Sequence, residues 1–228
     1  MDGTGFLMLA LALGVGAFVL FVLRREQAAR ARRRGRFLSA LAGLFEDRRE
    51  VVQPSGFPRL AGVHEGVAFD LQVVPDTLSL RKLPALWVIV SIPAPLPGVA
   101  VVDVMLRPTG MESFSHFSSL PVQVTVPADF PEDCAIRADV PGAVPHAGLI
   151  RDVLDAVDQD RLKEILVTPK GVRLVFLAEE AARGRYLLYR DAEMGRVPLA
   201  PALLVPFLAA AKGLLEGVMR DLEGRRSA

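Results

Sequence analysis

The run from Phe6 to Leu23 contains no charged residue and leads directly into Arg24, Arg25, Arg30, Arg32, Arg33, Arg34 and Arg36. An apolar stretch of this length matches the bilayer's hydrocarbon core, which takes roughly 20 helical residues at about 1.5 Å rise each. Over such a span a helix satisfies its own backbone N–H and C=O groups, which lipid cannot do. A cleaved signal peptide would carry its bases before the apolar run and a small-residue site after it. Here Met1–Gly5 holds one acid, Asp2, and no base. A soluble core helix would need polar residues on one face, and none interrupts Phe6 to Leu23. The expectation is a retained transmembrane helix over residues 6–23 behind a short N-terminus, residues 1–5.

The flanking charges set an expected orientation. Between Arg24 and Arg36 there are seven arginines against one acid, Glu26. Basic residues beside a span stay on the cytoplasmic side. The N-terminus is therefore expected outside and everything after Leu23 in the cytoplasm. The seven arginines are also expected at the membrane surface, where anionic headgroups contribute about 1 kcal/mol per basic residue.

Charge also narrows the partner class. Of the formal net charge of +1, residues 24–36 contribute +6 and Asp2 contributes −1, so residues from 37 onward carry −4. A mildly acidic domain lacks the basic stripe that phosphate-backbone binding needs, so no nucleic acid is expected. The abundance of Arg and Ala is read as the codon usage of a GC-rich bacterium, which makes the expected membrane the inner one. Cys134 is the only cysteine, which excludes an intramolecular disulfide and suits a reducing compartment.

After the span, residues 24–52 read as a basic juxtamembrane amphipathic helix. Phe37, Leu38, Leu41, Leu44 and Phe45 recur at three- and four-residue spacing and form one apolar stripe. That stripe packs on its own domain, on a second copy or on the lipid surface. Gln53, Pro54, Ser55, Gly56 and Pro58 then mark a boundary.

From residue 57 to 223 the pattern predicts one α+β domain, predominantly antiparallel, with two packing helices and a tail at 224–228. Leu60–Val63 and Val67–Val74 flank a Gly66 turn as a hairpin. Leu86–Ile92, Val99–Leu106 and Val122–Val126 read as further strands. Short proline-rich joins make an antiparallel sheet the economical arrangement, since parallel crossovers need a dozen or more residues. A helix follows Pro145, with Leu149, Ile150, Val153, Leu154 and Val157 as its buried face. Glu164–Thr168 and Val172–Leu177 flank a Pro169-Lys170-Gly171 turn, and Tyr186–Tyr189 reads as another strand. Pro198, Pro201 and Pro206 precede a closing helix, whose Lys212, Glu216 and Arg220 argue against a second span. The two glycine-turn hairpins also leave an internal duplication open.

Chemistry is sparse. The chain lacks a P-loop, a dinucleotide fingerprint, a serine-nucleophile elbow and a His-Glu-x-x-His pair, so no cofactor and no metal site is predicted. Asp152, Asp155, Asp158 and Asp160 fall on the outer face of a helix without the glycine and distal glutamate of a calcium loop. Ser113–Ser119 carries Phe114 and Phe117 among serines, which reads either as a strand edge tucked under the sheet or as a binding loop. Phe37, Leu41, Leu44, Phe45, Phe114 and Phe117 are therefore the candidate protein contacts. Two function classes remain: a membrane-anchored, non-enzymatic scaffold or regulator, or a tethered enzyme whose residues converge only in the fold. For the enzyme the first suspects are His64, His116, His146 and Cys134.

The order of these features resembles a class of bacterial single-pass membrane-anchored proteins of unknown function. The likeness rests on the anchor Phe6–Leu23, the arginine stop, the extended segment Leu60–Trp87 with its Gly66 turn, the Phe130-Pro131 step and the closing apolar helix. It implies an anchored cytoplasmic α+β domain and transfers no activity and no functional residue.

Overall fold

Alternating apolar positions from Leu60 to Val73 bury one face of a sheet, whereas the runs Val102–Leu106 and Leu162–Ile165 are buried on both. The computed structural model describes residues 3–77, 83–110, 112–142, 147–181, 183, 184, 186 and 194–227. Among these, nine strands make one sheet: β1 (Glu46–Val52), β2 (Pro58–His64), β3 (Val67–Asp76), β4 (Ala85–Pro93), β5 (Val102–Leu106), β6 (Val122–Val124), β7 (Cys134–Ala138), β8 (Leu162–Thr168) and β9 (Gly171–Glu180). Their spatial order is β1-β2-β3-β4-β9-β8-β5-β7-β6, and every pairing is antiparallel. The fold is thus α+β, as the sequence predicts.

Helices α2 (Ala147–Ala156) and α3 (Pro201–Ser227) cover one face of the sheet. Phe207 of α3 stacks on Phe176 of β9 with centroids 4.1 Å apart. The helices meet closely at Gly217, where a Cβ would lie 2.3 Å from Leu149 Cδ2. Length and apolarity alone would let α3 cross a membrane, but half of its most apolar window is buried in the molecule, with Leu204, Phe207, Leu208, Ala211 and Leu214 in the core. Its start corrects the sequence reading: the helix opens at Pro201, so Pro206 lies inside it. Pro201 suits the first position, but Pro206 is the sixth residue, past the four N–H groups a helix start leaves free, so the helix forfeits one bond to the Ala202 carbonyl there.

Helix α1 (Gly3–Gly35) is the third long helix, about 50 Å at 1.5 Å rise per residue. Every side chain from residue 11 to residue 28 is exposed, and the main core cluster begins only at Phe37.

The juxtamembrane expectation is corrected here. Residues 36–52 are not α-helical: α1 stops at Gly35, a single 3-10 turn spans Ser39–Leu41, and β1 follows. Phe37, Leu38, Leu41 and Phe45 are buried in the domain core, and Leu44 packs against it. The stripe is apolar because it caps the β2–β3 end of the sheet: Phe45 meets Phe69 edge-on, and Phe37 meets Phe57 at 5.8 Å and 89°. The domain therefore begins some twenty residues before the expected boundary at 57. Strand β7 was not expected either. Pro145 and His146 lie outside the described residues; of the expected strand Tyr186–Tyr189, Tyr186 is helical and the rest lies outside them.

Candidate functional site

Two places concentrate chemistry, and both follow from how the chain enters the sheet. The first is the junction between α1 and the domain. Arg30, Arg33 and Arg34 sit at i, i+3 and i+4, which places them on one face of α1. Across from them the chain turns at Gly195, whose φ of +75° and 2.6 Å approach of a would-be Cβ to Phe57 Cε1 exclude a side chain. Gly195 N–H donates to Glu179 Oε2 at 2.8 Å, and Leu199 N–H donates to the Phe37 carbonyl at 2.8 Å. These bonds hold Arg196 opposite α1. Arg30, Arg33, Arg34, Met194, Gly195 and Arg196 line one shallow cleft. The Arg34 guanidinium carbon lies 5.5 Å from the Phe57 ring centroid, so aromatic packing fixes its direction. Arg24, Arg25, Arg32 and Arg36, the other arginines expected at a membrane surface, are solvent-exposed.

The second place is on the opposite face of the sheet. Register puts Ile89, Val175, Glu164, Met105 and Ala135 in one row across β4, β9, β8, β5 and β7. The adjacent row holds Ser91, Arg173, Leu166, Asp103 and Arg137. Asp103 and Glu164 are diagonal neighbours and essentially fully buried, at 1% and 0% exposure. Arg173 Nη2 lies 2.9 Å from Glu164 Oε2, and Ser115 Oγ donates to Asp103 Oδ2 at 3.3 Å. Burial, then the charge of Glu164, pushes the Asp103 carboxyl up to about 8, against a partial offset from Arg173. Burial also raises Glu164, with Arg173 opposing it. Two carboxylates this close and this dry hold a proton between them at neutral pH.

A strap that includes residues 107–110 and 112–121 closes over this pair. A bulge between Leu162 and Glu164 turns Lys163 to the same face as Glu164. Its Nζ donates to the Leu106 carbonyl at 3.0 Å and pairs with Glu112 Oε1 at 3.1 Å. Burial disfavours the Glu112 carboxylate, but bonds from Thr109 N–H, Thr109 Oγ1 and Lys163 outweigh it and hold the group below its usual range. Arg107, at φ 48°, donates to the Gln159, Asp160 and Leu162 carbonyls. Arg137 donates to the Leu120 carbonyl at 2.7 Å, and its guanidinium carbon lies 5.7 Å from the Phe117 centroid. Phe117 is buried, and Phe114 packs at 5.4 Å on Trp87. The serine-rich stretch is therefore a clasp whose phenylalanines face the sheet.

Of the described suspects for catalysis, His64 and Cys134 lie far apart. His64 at the β2–β3 turn has its Nδ1 2.8 Å from the Leu44 carbonyl and packs among Phe45 and Phe69. Cys134 begins β7, six strand spacings away in the sheet order, or about 29 Å at ~4.8 Å each. Burial, then Asp133, pushes its thiol up to about 11, so it is not a thiolate at neutral pH. His116 is exposed on the strap, and Asp152, Asp155, Asp158 and Asp160 are all exposed. Among the described residues no group of three or more His, Cys, Asp or Glu could hold a metal ion. The sequence reading missed Arg196, Asp103, Lys163, Glu164 and Arg173. Single charges inside apolar strands carry no pattern, and only Lys163-Glu164 side by side in a strand hinted at a bulge. Comparison with protein-family models, curated proteins and solved structures finds no match to this chain.

Proposed function

We propose that this protein is a single-pass, membrane-anchored domain at the cytoplasmic face of a bacterial inner membrane, acting by binding and not by catalysis. The observation that carries the reading is α1: its apolar side chains from Leu11 to Leu23 are exposed, Phe18 at 67%, and stand apart from the core. A continuous apolar surface of that kind in water is an aggregation hazard; in lipid it is satisfied. The arginines that follow meet anionic headgroups, and the domain begins within a turn of the helix end. Anchored this way, the domain serves as a scaffold or regulator for a protein partner. Its contact surface is not the Phe37–Phe45 stripe, which the core consumes, nor Phe117, which the sheet covers.

One observation favours the tethered-enzyme alternative: a buried carboxyl pair with raised proton affinity is common in active sites. In that case Asp103 and Glu164 would carry the chemistry, and the strap would have to lift to admit substrate.

The anchor is tested by alkaline carbonate extraction of membranes and by reporter fusions after residue 23 and at the C-terminus. Retention in the membrane pellet with both reporters cytoplasmic is expected. Release into the carbonate supernatant, or a periplasmic reporter signal, overturns the reading.

A further inference from the structure

The strap covers more ionisable groups than a protein interior ordinarily holds. Asp103, Lys163 and Glu164 are buried, and so is the Glu112 side chain that reaches in from the strap. Two ion pairs account for four of the five groups gathered there: Lys163 with Glu112 at 3.1 Å, and Arg173 with Glu164 at 2.9 Å. The fifth, Asp103, has the Ser115 hydroxyl at 3.3 Å and no ion pair of its own among the described residues. Its Oδ1 and Glu164 Oε1 receive no N–H or O–H from any described residue. One proton between the two carboxyls satisfies both; without it, a buried anion has only a hydroxyl of the strap as partner. We propose that the middle of the strap, Ser113–Phe117, is a proton-controlled clasp: it lies shut while Asp103 and Glu164 share a proton and lifts off the sheet when that proton leaves.

The contacts confine the movement to this part. Arg107 pins one end to the Gln159, Asp160 and Leu162 carbonyls, and Arg137 pins the other by its bonds to the Ser118 and Leu120 carbonyls. Between these pins the strap meets the sheet through Ser115 on Asp103, Phe114 on Trp87 and the buried Phe117.

The other charged groups around Asp103 are engaged elsewhere. Arg137, opposite it on β7, directs its guanidinium at the strap carbonyls. Arg173 of β9 is paired with Glu164, and Lys163 of β8 is held by Glu112 and by the Leu106 and Arg107 carbonyls. Strand β4 contributes Ser91, which does not titrate, and His116 of the strap is exposed. An ionised Asp103 therefore needs water, and the strap stands in its way.

Burial, then Glu164, raises the Asp103 carboxyl to about 8 with the strap shut, against 3.8 for the ordinary group. Between those values the shut form holds a proton that the lifted form has lost. The opening constant therefore climbs by up to about tenfold per pH unit over that interval and levels off above it.

The test is chymotrypsin cleavage of the full chain in dodecyl maltoside, with the cut sites assigned by mass spectrometry. Rates after Phe114 and Phe117 are divided by those of a free peptide of residues 107–121, which cancels the protease's own pH dependence. In wild type the ratio is expected to rise about 50-fold between pH 6 and 8, or to reach the free peptide's rate, and to level off above pH 9. Asp103→Asn, which cannot lose the proton, is expected to hold one ratio throughout. Glu164→Gln is the second probe should Asp103→Asn not fold, with the same flat profile expected. A wild-type ratio that changes less than twofold, or a rise that the folded variants reproduce, overturns the clasp. Cleavage at the core residues Phe176 and Phe207 in step with Phe114 overturns it too, because the domain then unfolds as a whole instead of releasing its strap.

Discussion

Asp103 carries a testable pH signature. Its carboxyl sits at about 8 in the fold against 3.8 for the ordinary group, because burial and then Glu164 disfavour its charge. A group with a raised folded-state value binds its proton more tightly folded than unfolded. Its contribution is therefore complete below about pH 4 and is lost as pH rises toward 8. Asp103→Asn keeps the shape and the acceptor for Ser115 and removes the titration. The variant is expected to melt higher than wild type at pH 9 and to show a flatter melting profile between pH 5 and 9, followed by circular dichroism. Parallel profiles for the two proteins would mean that Asp103 is ionised throughout. Nothing in the sequence marks this residue: Val102-Asp103-Val104-Met105-Leu106 reads as an apolar strand with one polar interruption, and only the register across β8 brings Glu164 beside it.

At the scale of elements, the hairpins were legible and the segment after α1 was not. Gly66 and the Pro169-Lys170 turn punctuate strong alternating runs, so β2–β3 and β8–β9 stand where the pattern puts them. The stripe Phe37, Leu38, Leu41, Leu44, Phe45 has helical spacing, yet successive turns can bury the same residues without a helix. Periodicity reports which side chains want burial, and tertiary contacts decide the backbone that delivers them. Strand β1 was illegible for a different reason. It is an edge strand with all but Arg48 of its residues exposed, so it shows no alternation, and its Asp, Glu and Arg side chains discourage pairing with other chains. The stripe's assignment has a direct measure. Leu41 is fully buried while its neighbour Ala42 is exposed. Leu41→Ala is expected to cost about 2–5 kcal/mol, as core leucine truncations do, and Ala42→Asp to be nearly neutral, both read from urea midpoints of the full chain in detergent. A silent Leu41→Ala whose only effect is loss of cross-linked dimer would return the stripe to an association role.

On the scale of the whole molecule the chain divides into an apolar rod and a domain, and the division falls between residue 28 and Phe37. No described residue before Phe37 belongs to the main core cluster, and side chains 11–28 touch solvent throughout. The last turns of α1 differ, because Arg34 packs on Phe57 and lines the cleft with Arg196. A chain beginning at Arg24 therefore keeps every core side chain and the arginine cleft while losing the apolar surface. It is expected to be monodisperse in buffer without detergent and to melt within a few degrees of the full chain in detergent, since core burial sets most of the stability. A chain beginning at Phe37 also loses the Arg34–Phe57 contact, worth about 0.5–1 kcal/mol at a partly exposed site. It should melt slightly lower, and the difference between the two truncations isolates what the helix end contributes. Aggregation or unfolding of the chain that begins at Arg24 would show that α1 is part of the fold, and the account of it as an independent anchor would fail.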